Sequence, residues 1–266
     1  MYGNHFYNES TRRYVAVFGT MFNDIQIGRS DNTGTETQRM TVPINYAPMQ
    51  KLLSRLEQDP NLDSTAITLP RMSFEITGMA YSGDRKLTSL TKQTRTSVSS
   101  SSAMSTLYTP SPYDIEFQLN IMTKYNEDGT KILEQILPYF KPDVTVSVKM
   151  IDSMDLYVDI PIVLNSVSTE DSYEGDFTTR RALIWTLNFT MKAYYFGPTV
   201  QKKVIKFIDI NFTPDMDITT PTSSSVTIQP GLTAAGVGTT TLAESISYSD
   251  ISVDDDWKYI VQVLDE

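Results

Sequence analysis

Apolar positions along the chain fall into two rhythms, and the elements follow from them. Tyr14, Val17, Phe18, Met21, Phe22 and Ile25 recur at helical spacing and predict a first helix with one buried face. Asn8 or Ser10 is placed to cap it. A strand is expected over residues 38–45, at a sheet edge because Pro43 has no N–H for a ladder. A short helix from about Pro48 carries Met49, Leu52, Leu53 and Leu56, and Asp59-Pro60 ends it. Met72, Phe74 and Ile76 alternate with polar residues in a strand over 72–82. The clearest alternation is Tyr113, Ile115, Phe117, Leu119 and Ile121, the mark of a half-buried antiparallel strand. Ile132, Leu133, Ile136 and Leu137 predict another short helix, closed by Pro138.

Val144, Val146, Val148 and Met150 alternate again, and 156–167 is more continuously apolar. A long strand is expected from about 180 to 196, with Leu183, Trp185, Leu187, Phe189 and Met191 on one face, and a further strand over 202–212. Two stretches lack a rhythm. Residues 83–112 include the Ser-rich run 97–105, and read as a flexible loop or as an arm that orders against an acidic partner. Residues 213–249 are rich in Thr, Ser, Pro and Gly, with too few apolar side chains to offset their own ordering entropy. The expected organisation is therefore an α+β body over 1–212, built on antiparallel sheet with a few flanking helices. A 213–249 arm or linker follows, then a strand over 250–266 that packs on its own or a neighbouring subunit.

Composition narrows the function. The 266 residues contain no Cys and a single His, His5, so thiolate nucleophiles, Cys-based metal sites and nearly all Ser-His arrangements are excluded. Gly236-Val237-Gly238-Thr239 lacks the lysine of a phosphate loop. Asp215-Met216-Asp217, Asp254-Asp255-Asp256 and the acids of 170–176 lack the spacing of a metal loop and read as solvated. No catalytic residue, metal or cofactor is expected. No apolar run is long enough for a membrane helix, and the N-terminus has no secretory pattern, so a cytoplasmic origin is expected.

The net charge of −10 is unevenly placed: residues 1–208 carry net −1 and residues 209–266 net −9. An acidic chain does not grip phosphate backbones. The charged features instead suit contacts between proteins. The candidate contact residues are Arg12 and Arg13, Arg180 and Arg181, the basic positions Arg85, Lys86, Lys92 and Arg95, and the C-terminal Asp254, Asp255, Asp256 and Trp257.

Several stretches carry a resemblance. They are Phe6-Tyr7-Asn8 with Arg12-Arg13-Tyr14, Asn23 to Ile27 with Arg29, Val42-Pro43-Ile44 with Tyr46-Ala47, and Leu69-Pro70-Arg71. Pro110-Ser111-Pro112, Tyr125, the run Glu134 to Phe140, and Arg180-Arg181 with Trp185 are further matches. In this order, over about residues 2–198, they resemble the tail sheath stabiliser (tail completion) proteins of contractile-tailed bacteriophages. The resemblance implies a structural virion protein of the tail neck, made in the host cytoplasm and not an enzyme. It implies a homo-hexameric ring at the head-proximal end of the tail. Its partners would be the tail tube terminator, the sheath and the head-neck proteins, with DNA passing through a central channel without specific binding and no membrane involved. A carbohydrate- or receptor-binding β-rich domain is the alternative expectation, because exposed Tyr and Trp can stack on sugars.

Overall fold

A computed structural model describes residues 5–30, 36–51, 69–97, 100–172, 182–213 and 224–265. The fold is α+β and rich in strand. Two compact units divide it. The first comprises Met1–Ser89, Thr109–Ile151 and Leu156–Gly197; the second comprises Leu90–Tyr108, Asp152–Asp155 and Pro198–Glu266.

The first unit is built on a six-stranded sheet in the order β3-β4-β7-β10-β9-β8. These strands are β3 (Ile44–Tyr46), β4 (Arg71–Tyr81), β7 (Ser111–Thr123), β8 (Asp143–Ile151), β9 (Leu156–Ser172) and β10 (Ala182–Tyr195). All pairings are antiparallel except β3 with β4. Strict alternation along β7 and β10 places Phe74, Leu119, Leu187 and Val167 in one cross-strand row, and Ile76, Phe117, Phe189 and Leu164 in the next. Helix α1 (Ser10–Met21) covers this face. Its Phe18 is fully buried among the rings of Phe22, Phe74, Phe117 and Phe189, stacking on Phe117 at 4.4 Å. Helix α2 (Asn126–Ile136) buries Ile132, Leu133 and Ile136. A two-stranded ribbon of β1 (Gln26–Ser30) and β2 (Glu36–Thr41) lies beside α2.

The opposite sheet face is polar. Thr186 donates to Asn120, Asn188 to Ser166 and Asn165 to Thr190. One end of that face is apolar, where Met122 and Ile184 pack against Met49 and Leu69.

The second unit holds two three-stranded sheets. One has the order β11-β6-β5, from β5 (Lys92–Ser97), β6 (Ser100–Tyr108) and β11 (Val200–Lys203). The other has the order β12-β13-β14, from β12 (Ile208–Phe212), β13 (Ser224–Gly231) and β14 (Lys258–Asp265), all antiparallel.

The structure departs from the sequence expectations in specific ways. Neither Asn8 nor Ser10 caps α1: the capping position is Glu9, in the left-handed region at φ 54° with no side-chain cap. Asn8 instead donates to the carbonyls of Phe196 and Gly197. Pro43 does more than mark an edge. It separates β2 from β3, which belong to different sheets, because it cannot continue a ladder.

Residues 83–112 are not a loop. They hold β5 and β6, and their missing rhythm reflects a sheet whose inner face needs little more than Leu107 and small polar Ser97 and Ser105. The single strand expected over 202–212 is two strands in two sheets, parted by 204–207. Residues 224–231, inside the expected arm, form β13, and a looped segment bridged at Leu232–Gly238 and Thr233–Ser245 follows. Strand β14 pairs along its whole length with β13 of the same chain. The helix expected after Pro48 is described only at 49–51, and Arg180 and Arg181 lie outside the described residues.

Candidate interaction surfaces

The first surface is the N-terminal arginine pair. The left-handed turn at Glu9 sets its carboxylate under the first turn of α1, where Arg12 meets it at 3.4 Å. The Arg12 side chain is 74% exposed, so this pair contributes little to stability and leaves the guanidinium available. Arg13, on the adjacent helical position, is half-buried and donates to the carbonyl of Lys149 in β8. The two neighbours therefore do different things: Arg13 ties α1 to the sheet edge, and Arg12 faces solvent.

The basic positions divide in the same way. Arg85 sits in a single 3-10 turn between β4 and β5. Its guanidinium reaches Asp114 at 2.7 Å, the Tyr113 carbonyl at 2.9 Å and the Ser82 hydroxyl, and lies 5.1 Å from the Tyr194 ring centre. A planar fork of donors meeting a carboxylate, a carbonyl and a ring face is an anchor inside the chain. Lys86 is exposed. In the second unit, Lys92 lies over the Tyr108 ring at 5.1 Å, and Arg95 is exposed on β5.

The C-terminal acids form a structured turn ahead of β14. Asp254 accepts from Thr96 of β5, and Asp255 accepts the Ser252 amide at 2.7 Å, while Asp256 is exposed. Trp257 is half-buried and meets Tyr259 edge-on at 5.0 Å. No cluster of three or more His, Cys, Asp or Glu suited to a metal ion occurs among the described residues.

Sequence reasoning missed how the Glu134 to Phe140 run works. Gln135 donates to the Gln26 carbonyl at 2.7 Å, pinning α2 to β1. Ile136 enters the core, and Phe140 packs 5.2 Å from Phe189. Tyr139 is left 74% exposed on the rim of an open groove of about 610 Å³. Met21, Phe22, Ile25 and Val144 contribute its apolar lining, and Asp24 and Glu134 its acids. The spacing of Ile132, Leu133, Ile136 and Leu137 was readable as core, but Leu137, in the 3-10 turn that follows α2, is exposed; the groove, lined from both α1 and α2, was not readable.

A tyrosine ladder was also hidden. Tyr81, Tyr113, Tyr195 and Tyr14 meet edge to face in sequence at 5.4–5.9 Å. The fully buried Tyr14 hydroxyl donates to the Tyr194 carbonyl and accepts from the Tyr194 amide at 3.1 Å. Burial pushes this phenol well above its ordinary range.

Comparison with known proteins places these features. A family model described as the T4-like virus Myoviridae tail sheath stabiliser matches residues 5–263. The tail completion protein gp15 of Enterobacteria phage T4 is 32% identical over 206 residues, covering 74% of this chain and 74% of that protein. The match takes in both units and every surface described above.

Proposed function

The chain belongs to the T4-like tail sheath stabiliser family, and from that premise we propose that six copies form a ring at the head-proximal end of a contractile phage tail. The ring caps the tube terminator, holds the last sheath ring in its extended state and joins the tail to the head-neck proteins. DNA passes through its channel without specific contacts. The protein works as a structural part of the virion, assembled in the host cytoplasm, and performs no catalysis. The observation that carries this reading is the family match over residues 5–263, supported by the T4 relative at 32% identity.

Stabilisation follows from differential affinity. A ring that binds the extended sheath better than the contracted one shifts the equilibrium by that difference and no more. A preference of about 1 kcal/mol per copy becomes roughly 6 kcal/mol over six copies, enough to move a two-state equilibrium about 10⁴-fold. Exposed charges suit such a distributed contact. Arg12, Lys86, Lys92 and Arg95 are solvent-facing, and the C-terminal region is acidic. Arg85 is better assigned to holding its own turn in place.

Negative-stain microscopy of the purified protein, with light scattering for its mass, tests the ring. Sixfold particles with an open centre are expected, in solution or on tail tubes. A chain that stays monomeric under both conditions contradicts the proposal.

A further inference from the structure

The two sheets of the second unit differ sharply in surface chemistry. Directly opposed residues of antiparallel strands share a face. In β12-β13-β14 the register sets Ile208, Ile228 and Val261 in one row and Ile210, Val226 and Val263 in the next. Phe212 and Tyr259 extend that face at opposite corners. This apolar face is exposed. Tyr259, Val261 and Val263 are 65%, 57% and 61% exposed, and Ile208, Ile210 and Phe212 are 44%, 40% and 50% exposed. A contiguous patch of this kind, unlike isolated surface apolar residues, marks an interaction site. Towards Tyr259 it opens into a cleft of about 230 Å³ whose walls include Ile205, Pro230 and Trp257. Acids lie beside the patch in the turn ahead of β14, where Asp256 is exposed and Asp254 and Asp255 accept hydrogen bonds from Thr96 and the Ser252 amide.

The other sheet is its complement. The register sets Lys92, Tyr108, Met104, Val200 and Lys202 on one face, with Lys92 and Lys202 exposed, whereas Arg95 and Lys203 lie on the other face with Ser105 and Leu107; neither 90–108 nor 198–206 contains an acid. Lys92 and Lys202 make no ion pair among the described residues. Tyr108 and Val200 lie on the same sheet, 51% and 45% exposed.

Size decides what the occupant must offer. Three strands about 4.8 Å apart and five residues long, at about 3.4 Å each, present a face of roughly 10 by 17 Å. A standard interface buries about 800 Å² on each partner, so the contact must run past the apolar rows onto the acidic rim. Two identical faces would then set acid against acid. A basic rim with apolar side chains within it satisfies both requirements, and β11-β6-β5 is such a surface. We propose that the apolar face of β12-β13-β14 docks on the basic β11-β6-β5 sheet of a second copy. Two different patches in contact make a heterologous interface, the kind that closes into a ring. The inference rests on the ring reading above and supplies its subunit contact.

The test uses the full chain with two surface variants, Val261→Glu with Val263→Glu, and Lys92→Glu with Lys202→Glu. Each is checked for unchanged thermal unfolding, then weighed by light scattering in solution and counted on sheathed tails. Each variant alone should lose self-association by at least about tenfold in concentration midpoint. Mixing the two should restore dimers but not rings, because each mixed pair keeps one intact contact. The chain has no cysteine, so a mixture of Val261→Cys and Lys202→Cys copies should form a disulfide between copies and nowhere else. Normal assembly of either variant overturns the inference and leaves the ring reading standing. Normal rings that no longer retain sheath would assign the face to a tail protein, and also overturn it. A wild-type chain that never self-associates removes the ring reading itself, and the inference with it.

Discussion

Phe18 is the side chain on which the first unit turns. It is fully buried and touches four other rings, so Phe18→Ala loses both transfer energy and ring contacts. A loss of about 3–5 kcal/mol is expected in denaturant unfolding. Gly129 of α2 faces the Trp185 indole so closely that an added Cβ would sit 2.4 Å from its nitrogen. Gly129→Ala should therefore destabilise by roughly 1–3 kcal/mol, despite alanine's better helix propensity, while Gly83→Ala, with open space around it, should change little. Arg12→Glu should leave stability within about 0.5 kcal/mol of wild type, since its ion pair is exposed. If Arg12 serves the tail contact, the same variant still lowers sheath retention, which separates assembly from folding. Tyr14 gives a pH signature. Its folded-state pKa is raised, so it leaves stability unchanged below the ordinary phenol value of about 10. Above that value the unfolded chain gives up its proton first, and stability falls. Tyr14→Phe should flatten that alkaline decline in urea unfolding measured from pH 8 to 11.

The elements were legible in proportion to how fully one face of each is buried. β7 and β10 pack one side on α1 and α2, so their alternation is nearly strict and their limits were close. α1 and α2 show the same in helical spacing. In the second unit β12 and β14 fall inside the strands expected over 202–212 and 250–266, but β5, β6 and β13 were invisible for the converse reason. β5 and β6 are made of Thr and Ser around a few apolar side chains, and β13 of Ser, Val, Thr and Ile, which reads as linker until its partners β12 and β14 are known. Residues 204–207 carry as much apolar character as a strand, which fused β11 to β12 in the sequence pattern. The candidate contact residues were legible as charges but not as roles. No spacing rule says that Arg85 folds back on Asp114 while Lys86 next to it faces water. Nor does one say that β14 pairs with β13 of its own chain.

At the scale of the whole molecule, charge and apolar surface are segregated: a nearly neutral N-terminal portion, an acidic C-terminal portion and, within the second unit, one basic and one apolar sheet. Such segregation serves repeated contact with copies and neighbours better than it serves a ligand pocket. Membership of the tail sheath stabiliser family gives that surface its setting on a phage tail. The most direct measurement is sheath length on tails assembled with and without this chain, scored by electron microscopy after dilution. Tails that carry the protein should keep an extended sheath, and tails that lack it should lose or shorten theirs. Sheaths that stay equally extended in both would contradict the account.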